Sequence, residues 1–137
     1  MLIYLNVFCV LLAAGIVFSI TGCDTTQRVI PINSSLQLTS QQIIDFANKA
    51  QAGDDVAAFR LYLYYSVIKY DRTTAIKWAS MSAACGNTSA QYAMGMFYNG
   101  EIYPDLTDTN KSLYWFEKAA ASGDTNALLR IQELKTK

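Results

Sequence analysis

The chain has 137 residues, of which 52% are hydrophobic and 16% are charged. This length and composition fit one folded domain and exclude an intrinsically disordered tail. Eleven basic residues balance eleven acidic ones. Because the two signs are interleaved, the sequence shows no charged footprint for nucleic acid or for an anionic membrane surface.

The first 23 residues carry no charge, and every charged residue lies at or beyond Asp24. Residues 2–20 are almost wholly apolar and lead into Ile20-Thr21-Gly22-Cys23. An apolar run that ends in small residues is typical of a signal peptide with its processing site, which is not part of the fold. The alternative is a transmembrane helix, because about 20 apolar residues are enough to span a bilayer.

The segment from Ile20 to Cys23 also resembles the bacterial lipobox, an aliphatic residue and two small ones before a cysteine. The resemblance implies that residues 1–22 are a lipoprotein signal peptide and that Cys23 is lipidated. An aspartate after that cysteine, here Asp24, resembles the inner-membrane retention signal of enterobacterial lipoproteins. The resemblance therefore implies a lipid-anchored protein of the cell envelope that faces the periplasm.

Residues 23–37 are predicted to form the lipidated cysteine and a flexible tether. They contain Pro31 and a run of Asn and Ser, and they show no sustained hydrophobic periodicity. Order is expected to begin near Leu38, because Thr39-Ser40-Gln41-Gln42 has the pattern of a helix-starting capping box. The folded domain is thus predicted over residues 38–137.

Six helices are predicted in this domain from capping residues, apolar periodicity and helix-ending glycines. They are expected from Thr39 to Gly53, from Asp54 to about Val67, from Thr73 to Cys85, from Asn87 or Thr88 to Asn99, from about Asn110 to Ser122, and from about Asp124 onward. A longer loop over residues 101–109 separates the fourth helix from the fifth.

Two stretches of the sequence repeat the same residues at the same spacing. Trp78, Gly86 and Ala90 are matched by Trp115, Gly123 and Ala127. The period of 37 residues from Trp78 to Trp115 indicates a helical repeat array, in which small units bury a core only by stacking on their neighbours. We therefore predict an all-α fold, a short α/α solenoid of about three antiparallel helix pairs whose first pair is the most divergent.

The repeated residues resemble the Sel-1-like repeat, a relative of the tetratricopeptide repeat. The residues that carry the resemblance are Trp78, Ala83, Gly86, Ala90, Gly95, Tyr98 and Gly100, followed by Trp115, Ala119, Ala120, Gly123 and Ala127. Small residues let helices approach closely, and glycine ends a helix in a conformation that is costly for other residues. The resemblance thus gives these positions a structural role. Tyr62 and Gln132 depart from the pattern by replacing its second-helix glycine.

Histidine is absent from the sequence, which excludes catalytic triads and metal sites that depend on it. Ser66-Val67-Ile68-Lys69 matches the Ser-x-x-Lys pattern of penicillin-recognising enzymes, but the two companion motifs of that class are missing. Asp105 and Asp108 are too sparse for a Ca²⁺ loop and are better explained as helix caps. We predict no catalytic residue, no cofactor and no metal site.

The tyrosines are the best candidates for contact with a partner, because this side chain is enriched in protein interfaces. Tyr65, Tyr92 and Tyr98 fall at positions that the repeat uses for packing. The partner-binding candidates are the tyrosines less constrained by the repeat, namely Tyr62, Tyr64, Tyr70, Tyr103 and Tyr114.

Three functions fit these observations. The leading hypothesis is a non-catalytic, membrane-tethered adaptor that binds a protein or peptide of the cell envelope through the inner groove of the stacked helices. The second is an immunity protein that neutralises a secreted antibacterial effector, which small exported Sel-1-like lipoproteins resemble. The third is a β-lactam- or cell-wall-interacting enzyme that uses Ser66.

Overall fold

The computed structural model describes residues 35–136, and every regular element in this range is helical. The six α-helices are α1 Ser40–Gln51, α2 Asp55–Leu63, α3 Arg72–Ala84, α4 Thr88–Tyr98, α5 Thr109–Ala121 and α6 Thr125–Lys135. Each helix packs against the next one along the chain. The predicted all-α solenoid of three antiparallel helix pairs is confirmed.

The predicted signal peptide over residues 1–22, the lipidation site Cys23 and most of the tether lie outside the described residues. Within residues 35–136, no helix is both long and apolar enough to cross a membrane. The domain bounds derived from the sequence stay predictions.

Each of the six α-helices begins at a residue whose side-chain oxygen accepts a hydrogen bond from a free backbone N–H of the first turn. In α1 the predicted capping box is present, since Thr39 Oγ1 accepts from the Gln42 N–H and Gln42 Oε1 accepts from the Thr39 N–H. The other caps are Asp54, Asp71, Asn87, Asp108 and Asp124. Such a cap is worth about 1 kcal/mol, so the sequence fixes each helix start.

The three odd-numbered helices each end at a glycine in the left-handed conformation. The φ angles are +97° at Gly53, +100° at Gly86 and +95° at Gly123, where a side chain would be strained. These glycines provide a common origin for the three units. Two residues at the same distance from their glycine occupy equivalent positions in different units.

Three apolar clusters form a continuous core along the stack. Ala57, Leu61 and Trp78 belong to the first, Met94 and Phe97 to the second. The third contains Phe116, Ala119 and Ala127. Because the clusters mix side chains from consecutive units, each unit buries its apolar surface against its neighbours, as the repeat pattern predicts.

Buried serines add hydrogen bonds between the units. Ser82 Oγ donates to the Asp55 carbonyl over 2.7 Å, and Ser112 Oγ donates to the Gly95 carbonyl over 2.9 Å. Both serines are fully buried. These bonds satisfy hydroxyls that would otherwise be costly to bury, and they tie α3 to α2 and α5 to α4.

The structure departs from the predicted elements at two places, namely the end of the second helix, which was predicted to run to about Val67, and the loop over residues 101–109. Helix α2 continues into a π-helical turn, Tyr64–Ile68, which ends with the Lys69 N–H donating to the Tyr64 carbonyl over 3.1 Å. Tyr70 then has a φ of +53°, a left-handed value unusual for a residue with a side chain. The long loop between α4 and α5 contains a short 3-10 turn, Pro104–Leu106.

Candidate partner-binding surfaces

The structure corrects the prediction for Tyr64, whose side chain is only 5% exposed. Its ring contacts that of Tyr65, with the centroids 5.2 Å apart, and so lies in the core. Tyr64 stands at the same distance from Gly53 as Phe97 does from Gly86, and Phe97 is equally buried. The repeat offset therefore marks Tyr64 as a packing residue, and its assignment to a partner surface is wrong.

Tyr62 and Tyr103 both pack against Phe97, near the C-terminal ends of α2 and α4. The Tyr62 ring lies 6.0 Å from the Phe97 ring, and the Tyr103 ring lies 5.3 Å from it on the loop side. Burial raises the pKa of the Tyr62 hydroxyl, and the neighbouring Tyr103 adds to this rise. Both rings are half-buried and pack on the second cluster, so their contribution is mainly structural.

Arg72 clamps the long loop onto the start of α3. Its guanidinium lies 4.2 Å from the centroid of the Tyr103 ring and donates to Asp105 over 2.7 Å. The hydrogen bond from Arg72 holds the pKa of Asp105 below its ordinary value. We call Arg72, Tyr103 and Asp105 the loop clasp. Tyr103, a predicted partner-binding residue, and Asp105, a carboxylate weighed as a Ca²⁺ ligand, thus make contacts within the protein.

Tyr70 and Tyr114 remain as exposed candidates, and they lie on different parts of the molecule. Tyr70 is 82% exposed in the connection between α2 and α3. Tyr114 is 52% exposed in the middle of α5, where its ring meets the edge of Trp115. The five predicted tyrosines therefore do not form one site.

An exposed row crosses the three odd-numbered helices at one equivalent position. Ile44, Lys77 and Tyr114 are each nine residues before the glycine that ends their helix, and all three are exposed. Helices α1, α3 and α5 run in the same direction because each alternates with an antiparallel partner. Equivalent residues of successive helices therefore lie side by side on one face.

Two lysines at or beside this row place their ammonium groups over aromatic rings. The Lys77 ammonium lies 5.5 Å from the Trp78 ring centroid, and the Lys118 ammonium lies 5.2 Å from that of Tyr114. Such distances are favourable for cation–π contacts. Among residues 35–136, neither lysine forms a salt bridge with a carboxylate. We call Ile44, Lys77, Tyr114 and Lys118 the lysine–tyrosine face.

Of the residues on this face, only Tyr114 is among the partner-binding tyrosines predicted from the sequence. Ile44 and Lys77 were missed because neither residue type stands out alone. The signal that identifies them is their equal distance from Gly53 and Gly86. Lys118 lies one helical turn after Tyr114, so it shares the same side of α5.

The repeat residues lie mostly inside the stack or at helix ends. Buried positions are Trp78, Ala83, Ala90, Gly95, Ala119 and Ala127; half-buried ones are Tyr98, Trp115, Ala120 and Gly100; and Gly86 and Gly123 are exposed helix ends. None of them contributes an exposed side chain to the lysine–tyrosine face.

Ser66 and Lys69 are not arranged as a catalytic pair. Ser66 Oγ donates to the Leu63 carbonyl over 3.2 Å, whereas the Lys69 ammonium lies 5.6 Å from the Tyr64 ring centroid. A nucleophile needs its base within hydrogen-bond reach, which these contacts do not provide. Within the described part of the chain, no three Cys, Asp or Glu side chains are grouped so that they could hold a metal ion.

Comparison with known proteins assigns the repeat. The family model of the Sel1 repeat matches residues 55–87 and 88–124, which together are just over half of the chain. The chain belongs to the Sel1 repeat family. Sel1 repeats mediate protein–protein interactions and are typically non-catalytic, so this chain is built as an interaction module.

Two relatives share the repeat region. The "Uncharacterized protein YibG" of Escherichia coli (strain K12) is 34% identical over 101 residues, covering 72% of this chain and 65% of that protein. The "Chitin synthase regulator SKT5" of Saccharomyces cerevisiae is 29% identical over 101 residues, covering 70% of this chain and 14% of that protein. The match thus spans less than two thirds of either relative. No solved structure matches the chain significantly.

Proposed function

We propose that this Sel1 repeat chain is a non-catalytic adaptor of the bacterial cell envelope. The lipid on Cys23 anchors it to a membrane, Asp24 favours the inner membrane, and the repeat domain faces the periplasm. Residues 24–37 could hold the domain at most roughly 45 to 50 Å from the lipid if they were fully extended. The adaptor binds a protein or peptide partner through the lysine–tyrosine face.

The observation that carries this proposal is the exposed row of Ile44, Lys77 and Tyr114 on three parallel helices. The solenoid fold places equivalent residues side by side, and these three make no contribution to the buried core. Tyrosine is among the residues that dominate binding energy in protein interfaces. A partner segment lying across the row would contact all three units at once.

The charge of the face indicates the chemistry of the partner. Lys77 and Lys118 hold ammonium groups over aromatic rings and leave them available to carboxylates. Complementary charge speeds association and selects among partners more than it adds affinity. The partner segment should therefore be acidic and should carry an apolar or aromatic side chain that packs on Tyr114.

Affinity purification of the lipidated protein from its own host tests the proposal. Tyr114→Ala should reduce recovery of the co-purifying envelope protein, because it removes the aromatic contact. Lys77→Glu with Lys118→Glu should reduce it further by repelling an acidic segment. The matched control is Tyr70→Ala, which removes an even more exposed tyrosine from another part of the surface.

The control also separates two surfaces. Loss of the partner with Tyr70→Ala, but not with Tyr114→Ala, would move the binding site to the connection between α2 and α3. Recovery of no specific partner from the wild-type protein in gentle detergent would contradict the adaptor function itself.

A further inference from the structure

The joint between α4 and the long loop is an Asn–Gly pair that lies just outside the helix. Asn99 caps the C-terminal end of α4, and Gly100 follows with a left-handed φ of +84°. Both residues are half-buried. Asn–Gly suits a sharp turn, but because glycine has no side chain, the pair also leaves the backbone nitrogen after the amide open to reaction.

The Gly100 nitrogen is not engaged by the fold. Its N–H makes no hydrogen bond within the part of the chain that the structure describes. The glycines that end the odd-numbered helices differ, since their N–H groups donate to the carbonyls of Ala50, Ala83 and Ala120. A nitrogen bound in that way must break its hydrogen bond before it can attack a neighbouring group. Gly100 therefore carries an available nucleophile.

The side-chain carbonyl of Asn99 is polarised by a backbone donor. The Glu101 N–H donates to Asn99 Oδ1 over 2.9 Å. Attack on the amide carbon of Asn99 places negative charge on this oxygen, and a donor already aimed at the oxygen stabilises that charge. Asn99 Nδ2 donates to the Met96 sulfur over 3.9 Å, and a thioether is a weak acceptor. The leaving nitrogen is therefore held only weakly.

We propose that Asn99 is a site of spontaneous deamidation in the folded protein. The Gly100 nitrogen attacks Cγ of Asn99, a new C–N bond forms, and the bond from Cγ to Nδ2 breaks. The proton of the Gly100 N–H passes through solvent to Nδ2, which leaves as ammonia. Water then opens the succinimide ring at either carbonyl and gives aspartate or isoaspartate at position 99. The site is separate from the lysine–tyrosine face, so the inference does not depend on the proposed function.

The geometry permits the attack with little disruption. The Gly100 nitrogen reaches Cγ by rotation about the bond between Cα and the carbonyl carbon of Asn99. Asn99 lies beyond the last residue of α4, so this rotation leaves the helix in place. Since the Gly100 N–H is unbound, its movement breaks no hydrogen bond of its own.

Every other asparagine among residues 35–136 lacks this combination. Each is followed by a residue with a side chain, and after Asn110 and Asn126 the next N–H donates to a capping aspartate. The amide of Asn87 is held by hydrogen bonds at both its oxygen and its nitrogen. Asn48 lies inside α1. These four asparagines serve as internal references within the same chain.

Isoaspartate at position 99 would displace the start of the long loop, because the backbone then runs through the side chain and is longer by a methylene group. Gly100 packs so closely on Thr107 that a Cβ atom at Gly100 would collide with Oγ1 of Thr107. Glu101 pairs with Arg130 of α6 over 3.3 Å. Both contacts depend on where the loop begins. Deamidation thus acts as a slow one-way switch that loosens the loop between the second and third units.

Incubation of the purified full chain at neutral pH, followed by peptide mass spectrometry, tests the proposal. Conversion should be more than about tenfold faster at Asn99 than at any of the four references, a difference of about 1.4 kcal/mol in activation free energy. Aspartate and isoaspartate should both form, since both come from the succinimide. The rate should rise with pH, because the attacking nitrogen must lose its proton. Asn99→Gln is the matched control and should stay intact, since its amide would have to close a larger ring.

The same measurement in urea shows whether the folded state itself reacts. The rate at Asn99 in the folded chain should lie within about tenfold of that in the unfolded chain. If unfolding were required, the folded chain would react more slowly by the fraction that is unfolded, about 10⁻³–10⁻⁶. Hydrogen exchange over residues 100–108 should be faster in aged than in fresh protein, and ageing should not change it in Asn99→Gln.

Several outcomes would contradict the proposal. A rate at Asn99 equal to that of the reference asparagines would mean that the site has no special reactivity. Aspartate without isoaspartate would mean direct hydrolysis by water rather than attack by Gly100. A folded-state rate reduced in proportion to the unfolded fraction would assign the reaction to the unfolded chain. Unchanged hydrogen exchange in deamidated protein would exclude the loosening of the loop.

Discussion

The ring of Phe116 fills the space that a side chain on Gly95 would need. A Cβ atom at Gly95 would lie 2.5 Å from Cδ1 of Phe116, and Phe116 is fully buried. At the equivalent pair of positions one unit earlier, the large and the small side chain are exchanged. Tyr62 stands at the position equivalent to Gly95 and packs on the cluster that contains Ala79, the equivalent of Phe116. A large side chain therefore crosses each of these junctions, from α5 in one case and from α2 in the other.

Gly95→Ala should destabilise the fold. The added methyl group forces the Phe116 ring to move within a close-packed core, which typically costs about 1–3 kcal/mol. This exceeds the gain of up to about 1 kcal/mol that alanine offers over glycine in a helix. Urea unfolding followed by circular dichroism measures the difference in unfolding free energy.

The same substitution in a Phe116→Ala background supplies the control. Without the ring the added methyl group has room, so Gly95→Ala should become neutral or stabilising there. An equal loss in both backgrounds would mean that the Gly95 position is sensitive for a reason other than the ring.

Ala79→Phe should destabilise the contact between the first and second units. Ala79 is fully buried and Tyr62 already fills the neighbouring space, so a second large ring has no room. Adding Tyr62→Gly to Ala79→Phe recreates the arrangement of Gly95 and Phe116. The double variant should therefore be more stable than Ala79→Phe alone, by a coupling of about 0.5–3 kcal/mol. Additive losses in a thermal unfolding series would contradict this exchange of side-chain size.

The helix boundaries follow closely from the sequence because their determinants are local. Asp54, Asn87 and Asp124 bond to backbone amides within three residues, and glycines end the odd-numbered helices. Such signals act whatever the rest of the chain does. The number and order of helices could thus be predicted, together with the stacking that the repeat implies.

The surface could be predicted only in part, because exposure depends on contacts between units. Tyr64 looked unconstrained, yet its position equals that of buried Phe97, and the π-helical turn that begins at Tyr64 leaves no periodic signal in the sequence. Tyr103 is part of the loop clasp because its ring contacts Arg72, a residue far away in sequence. Long-range pairs of this kind cannot be read from one chain without its fold.

Tyr70→Gly should stabilise the protein slightly. The left-handed φ of +53° at Tyr70 costs an ordinary residue roughly 1–2 kcal/mol, whereas glycine adopts it freely and loses about 0.5–1 kcal/mol of chain entropy. The ring is 82% exposed, so its removal leaves no cavity. The net gain is expected at up to about 1 kcal/mol in denaturant unfolding.

Tyr114→Gly is the matched control for this change, because it removes an exposed tyrosine from a helix interior. That variant should lose roughly 0.3–0.5 kcal/mol through helix propensity, because tyrosine is itself less favourable in a helix than alanine. If both variants lost stability to the same extent, the backbone of Tyr70 would not be strained.

Cys23→Ser should block maturation of the precursor, since the predicted acyl acceptor is the thiol of that cysteine. The variant should keep residues 1–22 and incorporate no labelled fatty acid. Mass spectrometry of the purified chain gives both readouts. Cys85→Ser is the control and should mature normally. Normal processing of Cys23→Ser would exclude the lipoprotein prediction and favour a retained transmembrane segment.

Asp105→Asn should weaken the loop clasp at neutral pH but not in acid. The hydrogen bond from Arg72 lowers the pKa of Asp105 below its ordinary value of 3.8. A lowered pKa in the folded state means that the carboxylate contributes stability above the ordinary value, and that this contribution is lost as the pH falls through the folded-state value. The unfolding temperature of the wild type should therefore exceed that of the variant near pH 7, and the two should converge at lower pH.

Asp71 and Asp108 also have lowered pKa values because they cap helices, and they titrate in both proteins. Subtracting the unfolding temperature of the variant from that of the wild type at each pH cancels the contribution of Asp71 and Asp108. The pH dependence of one protein alone would include it. Arg72→Gln should cause at least as large a loss near pH 7, because it also removes the contact with the Tyr103 ring. Adding Asp105→Asn to it should change little, since the contact with Asp105 is already broken. A difference between wild type and Asp105→Asn that persisted well below the ordinary pKa would show that the carboxylate acts through something other than its charge.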